Sequence, residues 1–117
     1  MKQSSTPREL VNDQLNVYNA HDIDGYCALF ASDATISDLV TGQMICDGID
    51  EIRAVYTKRF ADHPELRAVV HQRMEGADFA IDKETVFGMP PGPLQIMAIY
   101  EVRDGLIRSL RFIRWVD

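Results

Sequence analysis

At Leu66 the hydrophobic period of this 117-residue chain changes from that of helices to that of strands. Before it, apolar residues recur at helical spacing: Val11, Leu15 and Tyr18 in one segment, Ile49, Ile52, Tyr56 and Phe60 in another. After it, the pattern alternates, and four strands are expected over about 66–75, 79–87, 94–103 and 106–116. Helices segregated from a meander of strands define an α+β domain in which the sheet curls over the helices. Such a curl encloses a cone able to hold an apolar ligand.

The helix boundaries carry their own signals. Thr6-Pro7-Arg8-Glu9 joins a capping box to a proline in the first helical position, and Asn19-Ala20-His21-Asp22 ends that helix. A second, short helix places Ile23, Tyr26, Cys27 and Phe30 on one stripe. The third begins after Asp47-Gly48, with acidic residues at its positive end, and stops before Pro64. Between the last two helices, Thr35, Ile36 and Leu39 read as a short strand that carries Asp38 into the turn Thr41-Gly42.

The strand connections are Gly76-Ala77, the segment 88–93 and Asp104-Gly105, the last a strong hairpin signal. A two-residue turn there pairs Ile99 with Leu110 and Met97 with Phe112. A two-residue turn at Gly76-Ala77 sets His71 opposite Asp82 and Val69 opposite Glu84. His71, Arg73, Asp82 and Glu84 then share one sheet face. That face is either a solvated ion-paired patch or dimer interface, or a polar wall of the cone with a His–Asp pair suited to acid–base work.

Composition narrows the function. The 12 Lys/Arg and 18 Asp/Glu give a net charge of −6, and residues 1–65 carry 5 of the former against 11 of the latter. That imbalance argues against nucleic-acid binding, which needs a basic patch. No apolar run reaches the roughly 18 residues of a membrane span, and the N-terminus lacks a signal-peptide core, so a cytoplasmic protein is expected. Cys27 and Cys46 lack metal-ligand spacing and read as reduced thiols. His21, His63 and His71 lie on different elements, and no metal site is expected.

The segments "YNAHDIDGYCALFASDATISD" (18–38), "CDGIDEIRAVY" (46–56) and "AIYEVRDGLI" (98–107) resemble the SnoaL-like and ketosteroid-isomerase-like members of the nuclear transport factor 2-like superfamily. The resemblance implies one domain over residues 1–117, with 1–5 flexible: a cone-shaped α+β barrel of three N-terminal helices on a strongly curved antiparallel sheet. In ketosteroid isomerases it implies a carboxylate base on the first strand, matched by Asp38, with a tyrosine and a protonated aspartic acid stabilising the enolate. Gln14 takes the tyrosine's place and Ala98 the acid's, so two of the three catalytic parts are absent, while Tyr56 matches a supporting tyrosine.

These residues yield a candidate base, Asp38, and candidate ligand contacts Gln14, Tyr18, Tyr56, Phe60, His71, Tyr100, Phe112 and Trp115. Core packing competes with ligand binding for each aromatic. Asp38 is either a turn-capping aspartate or a desolvated base. The functions expected are a cofactor-free proton-transfer enzyme of isomerase or cyclase type acting on a small apolar or aromatic carbonyl compound, or a non-catalytic ligand-binding or dimeric interaction module of the same fold. A homodimer through the sheet is a further expectation.

Overall fold

The computed structural model describes residues 6–114; residues 1–5 and Trp115 lie outside the described residues. The elements run α1 (Pro7–Asn19), α2 (Ile23–Cys27), β1 (Phe30–Asp38), β2 (Met44–Asp47), α3 (Ile49–Asp62), β3 (Arg67–Glu75), β4 (Phe79–Phe87), β5 (Leu94–Arg103) and β6 (Leu106–Arg114). Three helices pack on a six-stranded open sheet of order β2-β1-β6-β5-β4-β3.

Local chemistry explains the helix ends. Thr6 Oγ1 accepts from Glu9 N at 3.2 Å while Thr6 N donates to Glu9 Oε1 at 2.9 Å, the reciprocal capping box. Asp22 Oδ1 accepts from Gly25 N at the start of α2. Beyond α1, Asn19 clamps β3: its Nδ2 donates to the Ala68 carbonyl and its Oδ1 accepts from Ala68 N. The adjacent His21 Nε2 donates to the Leu66 carbonyl at 2.8 Å. Helix and sheet are thereby tied together at one edge of the cone.

The sheet is mixed, because β1 runs parallel to β6. β1 and β6 are not sequential, so no hairpin forces them antiparallel. β2, which the sequence pattern did not signal, pairs antiparallel with β1 through Thr35–Asp47, Ile36–Cys46 and Ser37–Met44. Phe30, expected on the α2 stripe, instead opens β1.

Two bulges and one longer turn shift the expected registers. Asp104 and Gly105, at φ 55° and 76°, make the tight turn, and Arg103–Leu106 and Val102–Ile107 pair as a two-residue hairpin requires. A bulge then moves the register by one, setting Tyr100 opposite Leu110 and Ala98 opposite Phe112. At the other hairpin the pair nearest the turn is Glu75–Ala80, and a bulge lies between Val70 and Gln72. Arg73, not His71, therefore faces Asp82, and Val70, not Val69, faces Glu84.

The core lies between the helices and the concave sheet face. Tyr18, Tyr26, Tyr56 and Phe60 form an aromatic cluster with ring centroids 4.7–6.4 Å apart. Leu110, Ile107 and Ala98 cover it from the sheet. No helix among the described residues is long and apolar enough to cross a membrane.

Candidate functional site

The cone holds a cavity of about 130 Å³. Its inner wall carries Tyr26, Tyr100 and Leu110, all essentially buried; Asp38 and Arg59 are half-buried, and Ile45 and Arg114 are exposed, marking the rim. Strand alternation decides who looks in. Ala80, Asp82, Glu84 and Val86 are the buried side of β4, and Ile96, Ala98, Tyr100 and Val102 that of β5.

Glu84 is the pivotal residue. It is 7% exposed, lines the cavity, and its carboxyl has no hydrogen-bond partner among the described residues. Burial pushes its pKa up to about 8, and the like charge of Asp82 adds to the shift against the opposing pull of Arg73. Glu84 is thus mainly a neutral carboxylic acid at pH 7.

Asp82, two residues away on the same face, is held quite differently. Arg73 Nε donates to its Oδ1 at 2.6 Å and Nη2 to its Oδ2 at 2.9 Å, a two-pronged pair. Arg73 Nη1 reaches across to Asn12 Oδ1 on α1. The ion pair is closed and leaves no carboxylate oxygen of Asp82 without a partner.

Asp38 caps a turn. Its Oδ1 accepts from the backbone N–H groups of Val40 and Thr41, both at 2.9 Å. Those bonds, chiefly the one from Thr41, lower its pKa below the usual aspartate value. It still lines the cavity, as an ionised group at the rim, and is not the desolvated carboxylate that one reading of the sequence entertained.

The other expected contacts divide. Gln14, Tyr18, Tyr56, Tyr100 and Phe112 all line the cavity. The Tyr100 hydroxyl donates to Gln14 Oε1 at 3.2 Å, and burial raises the Tyr18 hydroxyl pKa well above that of a free phenol. Phe60 does not line it: the ring stacks on His21 at 4.9 Å and packs against Tyr18 at 5.6 Å. His71 does not either. The β3 bulge turns it to the outer face, where Nε2 meets Thr85 Oγ1 at 2.7 Å, so there is no His71–Asp82 pair. Trp115 lies outside the described residues.

Sequence reasoning placed Glu84 in a polar group but not among the candidate contacts. Even spacing with Ala80 and Val86, both buried, was the signal that could have found it. Arg59 and Arg114 were also missed. Arg59 sits one turn after the buried Tyr56, with its guanidinium 4.7 Å over that ring. Among the described residues no group of His, Cys, Asp and Glu is arranged to hold a metal ion.

The SnoaL-like domain profile matches residues 11–110. The chain belongs to the SnoaL-like family. No functionally curated protein matches its sequence. Among solved structures, an uncharacterized cystatin-fold protein from Novosphingobium aromaticivorans superposes with a TM-score of 0.88 at 22% identity, covering 95% of this chain and 100% of that one. A candidate polyketide cyclase from Sinorhizobium meliloti gives 0.77 at 22% identity, over 89% and 93% of the two chains. A candidate ketosteroid isomerase from Kribbella flavida gives 0.81 at 16% identity, over 97% and 82%. These likenesses establish the fold of the SnoaL-like chain; its chemistry has to come from its own residues.

Proposed function

We propose that this SnoaL-like protein is a cofactor-independent acid–base enzyme that moves a proton on a small, mostly apolar carbonyl compound held in the cone. One observation carries the reading: the cavity pairs a neutral carboxyl, Glu84, with an ionised one, Asp38. Carboxyl groups pushed apart in this way divide naturally into acid and base. Asp38 takes the proton from the carbon next to the carbonyl. Glu84 donates to the carbonyl oxygen as negative charge gathers there. Because its backbone hydrogen bonds make Asp38 a weak base, the step depends on that donation to stabilise the enolate. The proton then returns from Asp38 to carbon, and the enzyme is unchanged. The candidate cyclase and candidate isomerase among the fold neighbours are consistent with such chemistry.

The test is deuterium exchange at the α-carbon of small aryl ketones in D₂O, followed by proton NMR. The wild-type protein should accelerate exchange, and Asp38→Asn and Glu84→Leu should each reduce it by roughly a hundredfold, the usual scale for an acid–base group. Exchange at the buffer rate with wild-type protein would reject the enzymatic reading and leave a binding module.

Pairing of two copies through the sheet belongs to the same reading. Val69 and Met74, in register with Thr85 and Ile81, and Phe79, opposite Glu101, are exposed on the face turned away from the helices. Sedimentation of wild type against Phe79→Lys checks it: a dimer in the first and a monomer in the second is the expected result.

A further inference from the structure

The cone is electrically out of character with the chain around it. The whole protein carries −6, yet the charged groups lining the cavity are Arg59, Arg114 and Asp38, with Glu84 mainly neutral at pH 7. The cavity therefore carries about one net positive charge inside an acidic protein. Among the described residues, neither Arg59 nor Arg114 has a carboxylate within ion-pair distance, whereas Arg8, Arg53 and Arg73 each have one. Arg59 is half-buried and fixed over the Tyr56 ring, so its position is set before any ligand arrives. A guanidinium with donors to spare at the rim of an apolar cavity suits a planar anion.

Size limits what lies beneath that anion. A cavity of about 150 Å³ accommodates benzene. The 130 Å³ here takes one ring-sized apolar group against Val86, Ile96, Leu110 and Phe112, leaving the ligand's polar end at the rim.

We propose that the ligand is a monoanionic amphipathic oxo acid, its ring or branched alkyl group inside the cone and its carboxylate held at the rim by Arg59 and Arg114. This rests on the reading of the cone as a carbonyl-compound site and names its substrate class. The carboxylate end meets the two arginines, which outweigh Asp38, while the carbonyl reaches Glu84. A ligand with two carboxylates would bring its second charge against Asp38 or into the apolar interior, where it goes uncompensated.

The experiment compares 3-phenylpropanoate with its neutral counterpart 3-phenylpropanamide, by NMR chemical-shift titration at pH 7. The acid should bind about tenfold more tightly than the amide, the scale of a charge-assisted hydrogen-bonded pair. In the Arg59→Gln, Arg114→Gln double variant that preference should fall to about twofold or less, while the amide's affinity stays close to wild type and so reports an intact cavity. Equal binding of acid and amide to wild type, a preference that survives in the double variant, or no binding of either compound would overturn the inference. Preferred binding of the acid together with no deuterium exchange on neutral ketones would uphold the carboxylate site while the enzymatic reading fails. The two are thus separable.

Discussion

Asp82 and Glu84 stand two residues apart on the same buried face of β4, yet only Asp82 has a cation. Arg73 is committed to Asp82 through both its prongs, so Glu84 keeps its proton instead. The consequence for stability has a definite sign. Between about pH 4.5 and about 8 the folded chain retains a proton that the unfolded chain has released. Stability therefore falls as pH rises through that window, by a few kcal/mol in total. Glu84→Gln removes the titration. Urea denaturation across pH 5 to 9 should show a decline in wild type and a flatter profile in the variant, which becomes the more stable of the two at pH 9.

Breaking the neighbouring ion pair should be costly in an ordered way. The Asp82 side chain is 1% exposed and that of Arg73 is 14% exposed. Losing one partner of a buried pair leaves the other charge uncompensated, at about 3–5 kcal/mol. Arg73→Met strands the deeper charge and should lie at the upper end of that range. Asp82→Asn leaves a partly hydrated guanidinium with Asn12 still beside it, and should lie at the lower end. Chemical denaturation at pH 7 measures both, and the reverse order would show that Arg73 is not the partner that matters to Asp82.

Two buried tyrosines give opposite expectations for the same substitution. The Tyr100 hydroxyl donates to Gln14 Oε1, whereas the Tyr26 hydroxyl is buried with the Tyr56 hydroxyl nearby and makes no well-formed hydrogen bond among the described residues. Tyr100→Phe should cost about 1 kcal/mol, because it leaves the Gln14 oxygen without its donor. Tyr26→Phe removes a hydroxyl whose contact with the Tyr56 hydroxyl falls short of a full hydrogen bond, and should be neutral or slightly stabilising. Thermal melts of the two variants side by side decide the matter.

Much of this architecture is written in short-range signals. The Thr6–Glu9 box, the Asp104–Gly105 turn and the alternation after Leu66 mark elements whose ends match β4, β5 and the start of β6. What short-range pattern does not encode is the bulge. The four-residue connection 76–79 brings Arg73 onto Asp82, the extra residue near His71 then sends that side chain outward, and no turn residue announces either. β2 escaped for a related reason: four residues pairing at three positions make too short a run for periodicity to register. At the site, the resemblance to the family pointed to Gln14, Tyr56 and Asp38, which do line the cavity. Glu84 went unassigned because even spacing groups it with the apolar Ala80 and Val86 while the charged Asp82 on the same face signals the opposite, and its protonation depends on burial, which spacing does not state.

Gly88 closes the cone where β4 ends, between the cavity-lining Val86 and Met89, and its backbone leaves little choice of residue. Its φ is +93°, and a Cβ there would stand 2.3 Å from the Glu65 carbonyl oxygen and 2.6 Å from Leu66 N. Both obstacles are backbone, fixed by the start of β3, so relief requires the strand itself to move. Gly42 offers a matched control: its φ is +75°, but a Cβ added in that β1–β2 turn would meet nothing within 4 Å. Gly42→Ala should therefore carry only the cost of a left-handed backbone, about 1–2 kcal/mol. Gly88→Ala adds the clash and should destabilise by about twice as much or more, with shifted NMR signals for Val86 and Met89. Equal losses in the two variants would mean that the Glu65–Leu66 segment yields freely, and that this end of the cavity wall is softer than its contacts imply.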